Sequence, residues 1–338
     1  MKSLAALLCA AALVPQQKQP RFPVSVERVV VDVRVIDSLG APVLGLEPAD
    51  FKVKLGGKAV AVESAVFVGG VAEAEEDPGV VVTPDGVAAP APRFDSREPR
   101  LVVFLLQKDM DSSRITGLLQ MSKKAADLLR SLAPADRVAG LLFDYHLRVL
   151  FDFTEDRVRA GRMLSDGLLG KPLAKNEGGE PSLSEQLDAA AMKRAASPEK
   201  ALQLIGEALQ PLPGVKTLVF LGWGLGRFGR GGVTMTPDYE PARQALLKAR
   251  CSVFALDVTN ADYHSLEVGL IQVAEDTGGL YAKTHIFPDA ALKRMERALS
   301  GYYVLSIERP EGRSGQFRLD IGLVKGKKGE VLAPSAVG

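Results

Sequence analysis

The chain has 338 residues, enough for two domains and too many for one small core. Apolar residues make up 46% and charged residues 25%, the balance of a soluble globular protein. The formal net charge of +1 gives no basis for a broad electrostatic grip on nucleic acid or anionic lipid.

At the N-terminus, Lys2 precedes an apolar run from Leu4 to Val14, after which polarity returns abruptly. That run is shorter than the ~20 residues that span a bilayer. It reads as a signal peptide over residues 1–17, cleaved near Ala12 or just after. The expectation is a protein of the periplasm or cell exterior, with no membrane insertion once the signal is removed. Only Cys251 would then remain, so stability must come from packing rather than cross-links.

In VERVVVDVRVID, Val29, Val31, Val33 and Val35 share one face, and Asp32 and Arg34 the other. This period of two predicts a half-buried strand. DFKVKL and AVAVESAVFV continue the pattern, making a first β segment over residues 22–70. Residues 71–99 gather acidic residues, Pro and Gly without periodicity and read as an exposed linker.

From Arg100 strands and helices alternate. LVVFLL is a continuous apolar run, as in a strand covered on both faces. A helix is predicted over 114–132, and then RVAGLLF and LRVLFDF, joined only by Asp144-Tyr145-His146. So short a link forces an antiparallel hairpin. Helices follow at 156–169, 183–195 and 198–210, the last with Ser197 as cap and Pro198 at its first position. KTLVFL, CSVFALDV and LYAK are strands, with helices at 240–250, after Ser265, and from Asp289 to Ser300. The pattern predicts an α/β, doubly wound, Rossmann-like sheet with one antiparallel hairpin over residues 100–300. Residues 301–335 return to β and could complete a β-sandwich with the N-terminal segment.

Strand, polar loop, helix, antiparallel hairpin and repeated helix–strand units together resemble a von Willebrand factor A domain. The flanks VDVRVIDSLGAPVLGLEPADFKVKLGG and AEDTGGLYAK…ALSGYYVLSIERPEG are similar to those of the VWFA-related acidobacterial family. The resemblance covers about residues 24–335 and implies architecture rather than an activity. It also implies a place to look for a metal. An A domain typically carries D-x-S-x-S after its first strand, a Thr in a second loop and an Asp in a third. Their oxygens hold Mg²⁺ or a similar ion and leave one position open for an acidic side chain of a partner.

The matching loops depart from that pattern. If the first Asp must directly follow the strand, Gln107 occupies it. With a two-residue slide, Asp109-x-Asp111-x-Ser113 matches, one Ser being replaced by Asp. Spacing alone does not choose between the two registers. The second loop reads Gly178-Gly179-Glu180-Pro181-Ser182, so Ser182 or Glu180 would have to substitute. The third, Phe220-Leu221-Gly222-Trp223-Gly224, has Trp where the carboxylate belongs. The metal reading assigns Asp109, Asp111 and Ser113 as ligands. The simpler reading is a polar loop in which Asp111, Ser112 or Ser113 caps the following helix, leaving the site degenerate with no cofactor.

Gly224, Gly226 and Gly229 form G-x-G-x-x-G after a strand, with Asp257 ending the next. No helix is predicted at the third glycine, which weakens a dinucleotide site. A flexible loop exposing Trp223, Arg227, Phe228 and Arg230 fits better, because aromatic and Arg side chains are enriched at binding hot spots. His146, His264 and His285 lack metal spacing to another His, Cys or acid, and there is no G-x-S-x-G. No catalytic residues are assigned. The expectation is a non-enzymatic binding or scaffold protein that meets a protein partner through loops 107–113, 178–182 and 222–232.

Overall fold

The structure, a computed structural model, describes residues 28–69, 80–82, 88–90, 100–171, 180–309 and 315–338. The signal-peptide expectation and most of the linker lie outside these residues. Within the linker, β5 (Val80–Val82) and β6 (Ala88–Pro90) pair antiparallel. No helix among the described residues is long and apolar enough to cross a membrane.

The chain's two ends build one β module. The N-terminal strands are β1 (Arg28–Ile36), β2 (Phe51–Leu55), β3 (Lys58–Val60) and β4 (Val62–Gly69). The C-terminal ones are β15 (Gly301–Glu308), β16 (Phe317–Leu323), β17 (Glu330–Leu332) and β18 (Ala336–Val337). They form two sheets, ordered β17-β1-β15-β4 and β18-β16-β2-β3. Val29, Val31, Val33 and Val35 meet Phe51, Val53, Tyr303, Leu305 and Leu319 in a shared core, the alternation of β1 being what fills it.

The other face of β1 is not solvated. Arg34 is fully buried, donates from Nη1 to Ser252 Oγ at 3.0 Å and lies over the Phe254 and Tyr302 rings. Burial lowers its pKa to about 10, with Asp32 opposing the shift. Asp32 in turn accepts from Nε and Nη2 of Arg250 at 3.1 and 2.6 Å. The polar residues of β1 therefore dock the β module onto the amino end of the α/β sheet, where periodicity predicted water.

Between these halves lies the α/β domain. Its strands are β7 (Leu101–Gln107), β8 (Arg137–Phe143), β9 (Leu147–Thr154), β10 (Lys216–Gly222), β13 (Cys251–Asp257) and β14 (Tyr281–Lys283). They lie in the order β14-β13-β10-β7-β8-β9, parallel except for β9. Helices α1 (Ser112–Ser131), α2 (Arg157–Leu168) and α7 (Pro288–Leu299) cover one face. Helices α4 (Pro198–Leu209), α5 (Tyr239–Lys248) and α6 (Glu267–Asp276) cover the other, with the short α3 (Ala189–Arg194) beside them. Both faces of β7 are buried, which accounts for its unbroken apolar run. This is the doubly wound α/β sheet with one antiparallel hairpin that the sequence pattern predicts.

Two local expectations change. The single helix expected over 183–195 is a 3-10 turn at Ser184–Gln186 followed by α3. The glycine-rich loop is a small hairpin of β11 (Arg227–Gly229) and β12 (Gly232–Thr234).

Candidate functional site

Because β7, β8, β10, β13 and β14 run parallel, the loops after their carboxyl ends share one edge. Gln107 ends β7 there and is fully buried. Its Oε1 accepts from the Trp223 and Gly224 N–H groups at 2.9 and 3.3 Å, and its Nε2 donates to Gly224 O at 2.9 Å. A neutral amide thus stitches the first loop to the third. A carboxylate could not make the donated bond. The neighbouring Gly222 has no room for a side chain, since a Cβ would stand 2.9 Å from Gln107 Oε1.

Asp109 follows. Its Oδ1 accepts from the Asp111 N–H at 3.0 Å, and its Oδ2 is ion-paired with Arg114 Nη1. The same guanidinium lies over the Trp223 ring, 3.8 Å from its centroid. Burial acts to raise the Asp109 carboxyl, but the Asp111 N–H and Arg114 outweigh it and hold it below the ordinary carboxylate range. Asp111 is the N-cap of α1, its Oδ1 accepting from the Ser113 N–H at 2.9 Å and from the Ser113 hydroxyl. Asp109, Asp111 and Ser113 are close in space, yet each is committed: one to Arg114, the others to the cap. Mg²⁺ needs a near-octahedral set of available oxygens. These residues do not fit it, because a guanidinium already sits between the Asp109 carboxylate and the Trp223 ring.

In the second loop, Gly178 and Gly179 lie outside the described residues, and the rest is elsewhere. Glu180 O accepts from Arg137, the first residue of β8, so it lies at the opposite edge of the sheet. Ser182 and Ser184 surround Asp152 on β9, with Ser182 Oγ 2.6 Å from Oδ2 and the Leu183 N–H 2.7 Å from Oδ1. Ser182 and Glu180 are therefore removed from Asp109. Asp152 anchors this turn. At the carboxyl edge, buried Glu199 in the first turn of α4 accepts from the Gly226 N–H at 2.7 Å.

Of the four aromatic and Arg candidates, Arg227, Phe228 and Arg230 are exposed on the β11–β12 hairpin. Trp223 is not exposed with them; it is half-buried against the core beneath Arg114. Gly229 ends β11, and the next helix starts only at Tyr239, so the three glycines present no helix N-terminus to a pyrophosphate.

One cluster went unread in the sequence. Asp257 closes β13 and is fully buried. His264 Nε2 lies 2.8 Å from its Oδ2, and Tyr281 OH donates to the same oxygen at 3.0 Å. Burial, then the Asp257 and Glu267 carboxylates, push the Tyr281 phenol far above its ordinary pKa, which keeps it a donor. Glu267, at the start of α6, pairs with Lys283 at 2.5 Å. One ligand atom each of Asp257, His264 and Glu267 lies within 4.8 Å of the others. Sequence spacing gave no histidine an acid partner, whereas in space His264 lies beside Asp257 and Glu267. The run Asp257-x6-His264-x2-Glu267 was the available signal.

No family model and no curated protein matches the chain. Solved structures similar to it include the conserved hypothetical protein BatB from Bacteroides thetaiotaomicron, at 17% identity and TM-score 0.39, covering 59% of this chain and 97% of that one. An aerotolerance-related membrane protein from Bacteroides fragilis NCTC 9343 is 15% identical, with TM-score 0.38 and coverages of 59% and 98%. A von Willebrand factor type A protein from Catenulispora acidiphila is 10% identical, with TM-score 0.39 and coverages of 93% and 75%. At these values the likenesses assign no residue and no activity. The sheet order and the antiparallel β9 carry the fold.

Proposed function

We propose that this chain is a non-enzymatic protein-binding or scaffold module of the cell exterior or envelope, and that its A-type domain grips a protein partner without a divalent ion. The observation that carries this reading is where large apolar side chains are left in water. Met110, Tyr145, Phe228, Tyr263, Ile286 and Phe287 are each 61–80% exposed. All six lie on connections leaving the carboxyl ends of the strands, whereas Leu39, Leu44 and Val158, of similar exposure, are scattered elsewhere. Scattered exposed apolar residues are ordinary, but their gathering along one edge marks an interaction surface. Arg227 and Arg230 flank Phe228 and add donors suited to an interface. The Arg114–Asp109 pair argues for a metal-independent grip, since the carboxylate that would hold an ion already has its cation. The apolar run after Lys2 supports export.

The test is site-specific photo-crosslinking in the source organism. A photoreactive residue at Phe228 should trap a discrete protein, in EDTA as well as in Mg²⁺. The same residue at Leu39, exposed on the β module, should not. Trapping that is equal at both positions, or that disappears in EDTA, would overturn the reading.

A further inference from the structure

We propose that Asp257, His264 and Glu267 form a binding site for a divalent transition-metal ion of the Zn²⁺ or Mn²⁺ class, two strands along the sheet from the β7 loop where the A-domain pattern places Mg²⁺. Three features carry it. The first is ligand geometry. The Asp257 carboxylate, His264 Nε2 and the Glu267 carboxylate offer one atom each within a 4.8 Å span. Ligands of a single ion at about 2.1 Å lie no more than about 4.2 Å apart, so a sub-ångström closure completes the set.

The second feature is pre-organisation. Asp257 Oδ1 is fixed by the Thr259 N–H at 3.0 Å, and Oδ2 is oriented by Tyr281. The Asp257 carbonyl accepts from the Thr284 N–H and hydroxyl at 3.1 and 2.7 Å. Outer bonds of this kind hold ligands in place at metal centres. Buried Thr259 also leaves its hydroxyl without a partner on the same turn.

The third is charge. Asp257 is wholly out of solvent, and among the described residues its side chain hydrogen-bonds neutral donors and the His264 ring and no Lys or Arg. A buried carboxylate beside a second carboxylate is costly unless a cation joins them. Lys283 serves Glu267 but is held also by Asp262 O, so it can be displaced. One imidazole nitrogen with two carboxylates suits a borderline ion rather than Mg²⁺ or Ca²⁺, which prefer oxygen alone.

This site does not depend on the partner-binding reading, and its test uses no partner. Zn²⁺, and separately Mn²⁺, is titrated calorimetrically into the EDTA-stripped full chain. Co²⁺ absorption reports the ligand field. The wild type should bind one equivalent and give a Co²⁺ spectrum with d–d bands. His264→Gln and Glu267→Gln should each weaken binding by about tenfold or more. Asp109→Ala should leave it unchanged. Lys283→Met should tighten it by freeing Glu267. Neither His264 nor Glu267 is fully buried, and circular dichroism of both variants shows whether the fold is kept. Absence of binding at millimolar ion overturns the site. So does binding that both Gln variants retain, which would mark an adventitious ion only, or loss of binding in Asp109→Ala.

Discussion

A guanidinium set between a carboxylate and an indole ring is held by two attractions, and Arg114 has both, pairing with Asp109 while it covers Trp223. Each side chain of the pair keeps some solvent contact, 30% for Arg114 and 26% for Asp109, so the Coulombic part is modest. Arg114→Gln should cost about 1 kcal/mol at neutral pH, read from urea unfolding. The pH dependence has a definite sign. Asp109 is held below its unfolded value, so its contribution is full above the unfolded pKa and is lost as pH falls through the folded one. The gap between wild type and Arg114→Gln should therefore narrow below about pH 4. A gap that stayed constant into acid would mean that the Trp223 contact carries the whole effect. Sequence placed Asp109 and Trp223 in two meeting loops. Arg114 was overlooked because it lies in the first turn of the helix, where an Arg normally points to water.

Helix α1 reaches unusually close to β13. A Cβ on Gly117 would stand 1.7 Å from the Val258 carbonyl oxygen, so no side chain fits between helix and strand end. The Asn260 N–H also donates to Ser113 O at 3.0 Å. These two contacts tie the capped start of α1 to the turn that carries Asp257. Gly117→Ala has helical propensity in its favour by about 1 kcal/mol, yet it must push the helix off the strand. A net loss of about 2 kcal/mol or more is expected in thermal or chemical unfolding. An unchanged or raised stability would mean that the two elements are not in contact. Most elements were legible because their periods are clean: β1 alternates, β7 is uniformly apolar, and α1 repeats Leu118, Met121, Ala125 and Leu128 on one buried face. The 183–195 segment was misread because Asp152, distant in sequence, captures Ser182, Leu183 and Ser184 and breaks the helix before it starts. The 227–234 hairpin was missed because three glycines at its turn hide a strand signal only three residues long on each side.

Across the whole molecule, the α/β domain is inserted into a sandwich whose strands come from both ends of the chain. The two modules are joined by charged side chains of β1 that periodicity alone would have left in water. Sequence pattern gives the period of a strand but not which second surface will cover it. The same limit applies at the site. Asp257, His264 and Glu267 belong to a strand end, a loop and a helix start, and Tyr281 comes from the neighbouring strand, so no single period links them. At the carboxyl edge, Arg114 serves as the cation of Asp109 in the loop after β7, and the proposed grip on a partner needs no divalent ion. The direct measurement is a thermal melt of the full chain in EDTA and in millimolar Mg²⁺, on wild type and Asp109→Ala. An ion at 100 times its dissociation constant would stabilise the fold by about 2.7 kcal/mol, a visible displacement. The account predicts superimposed wild-type curves and, for Asp109→Ala, the same small loss in both buffers. A Mg²⁺-dependent rise that vanishes in Asp109→Ala would contradict it and return Asp109, Asp111 and Ser113 to the role of ligands.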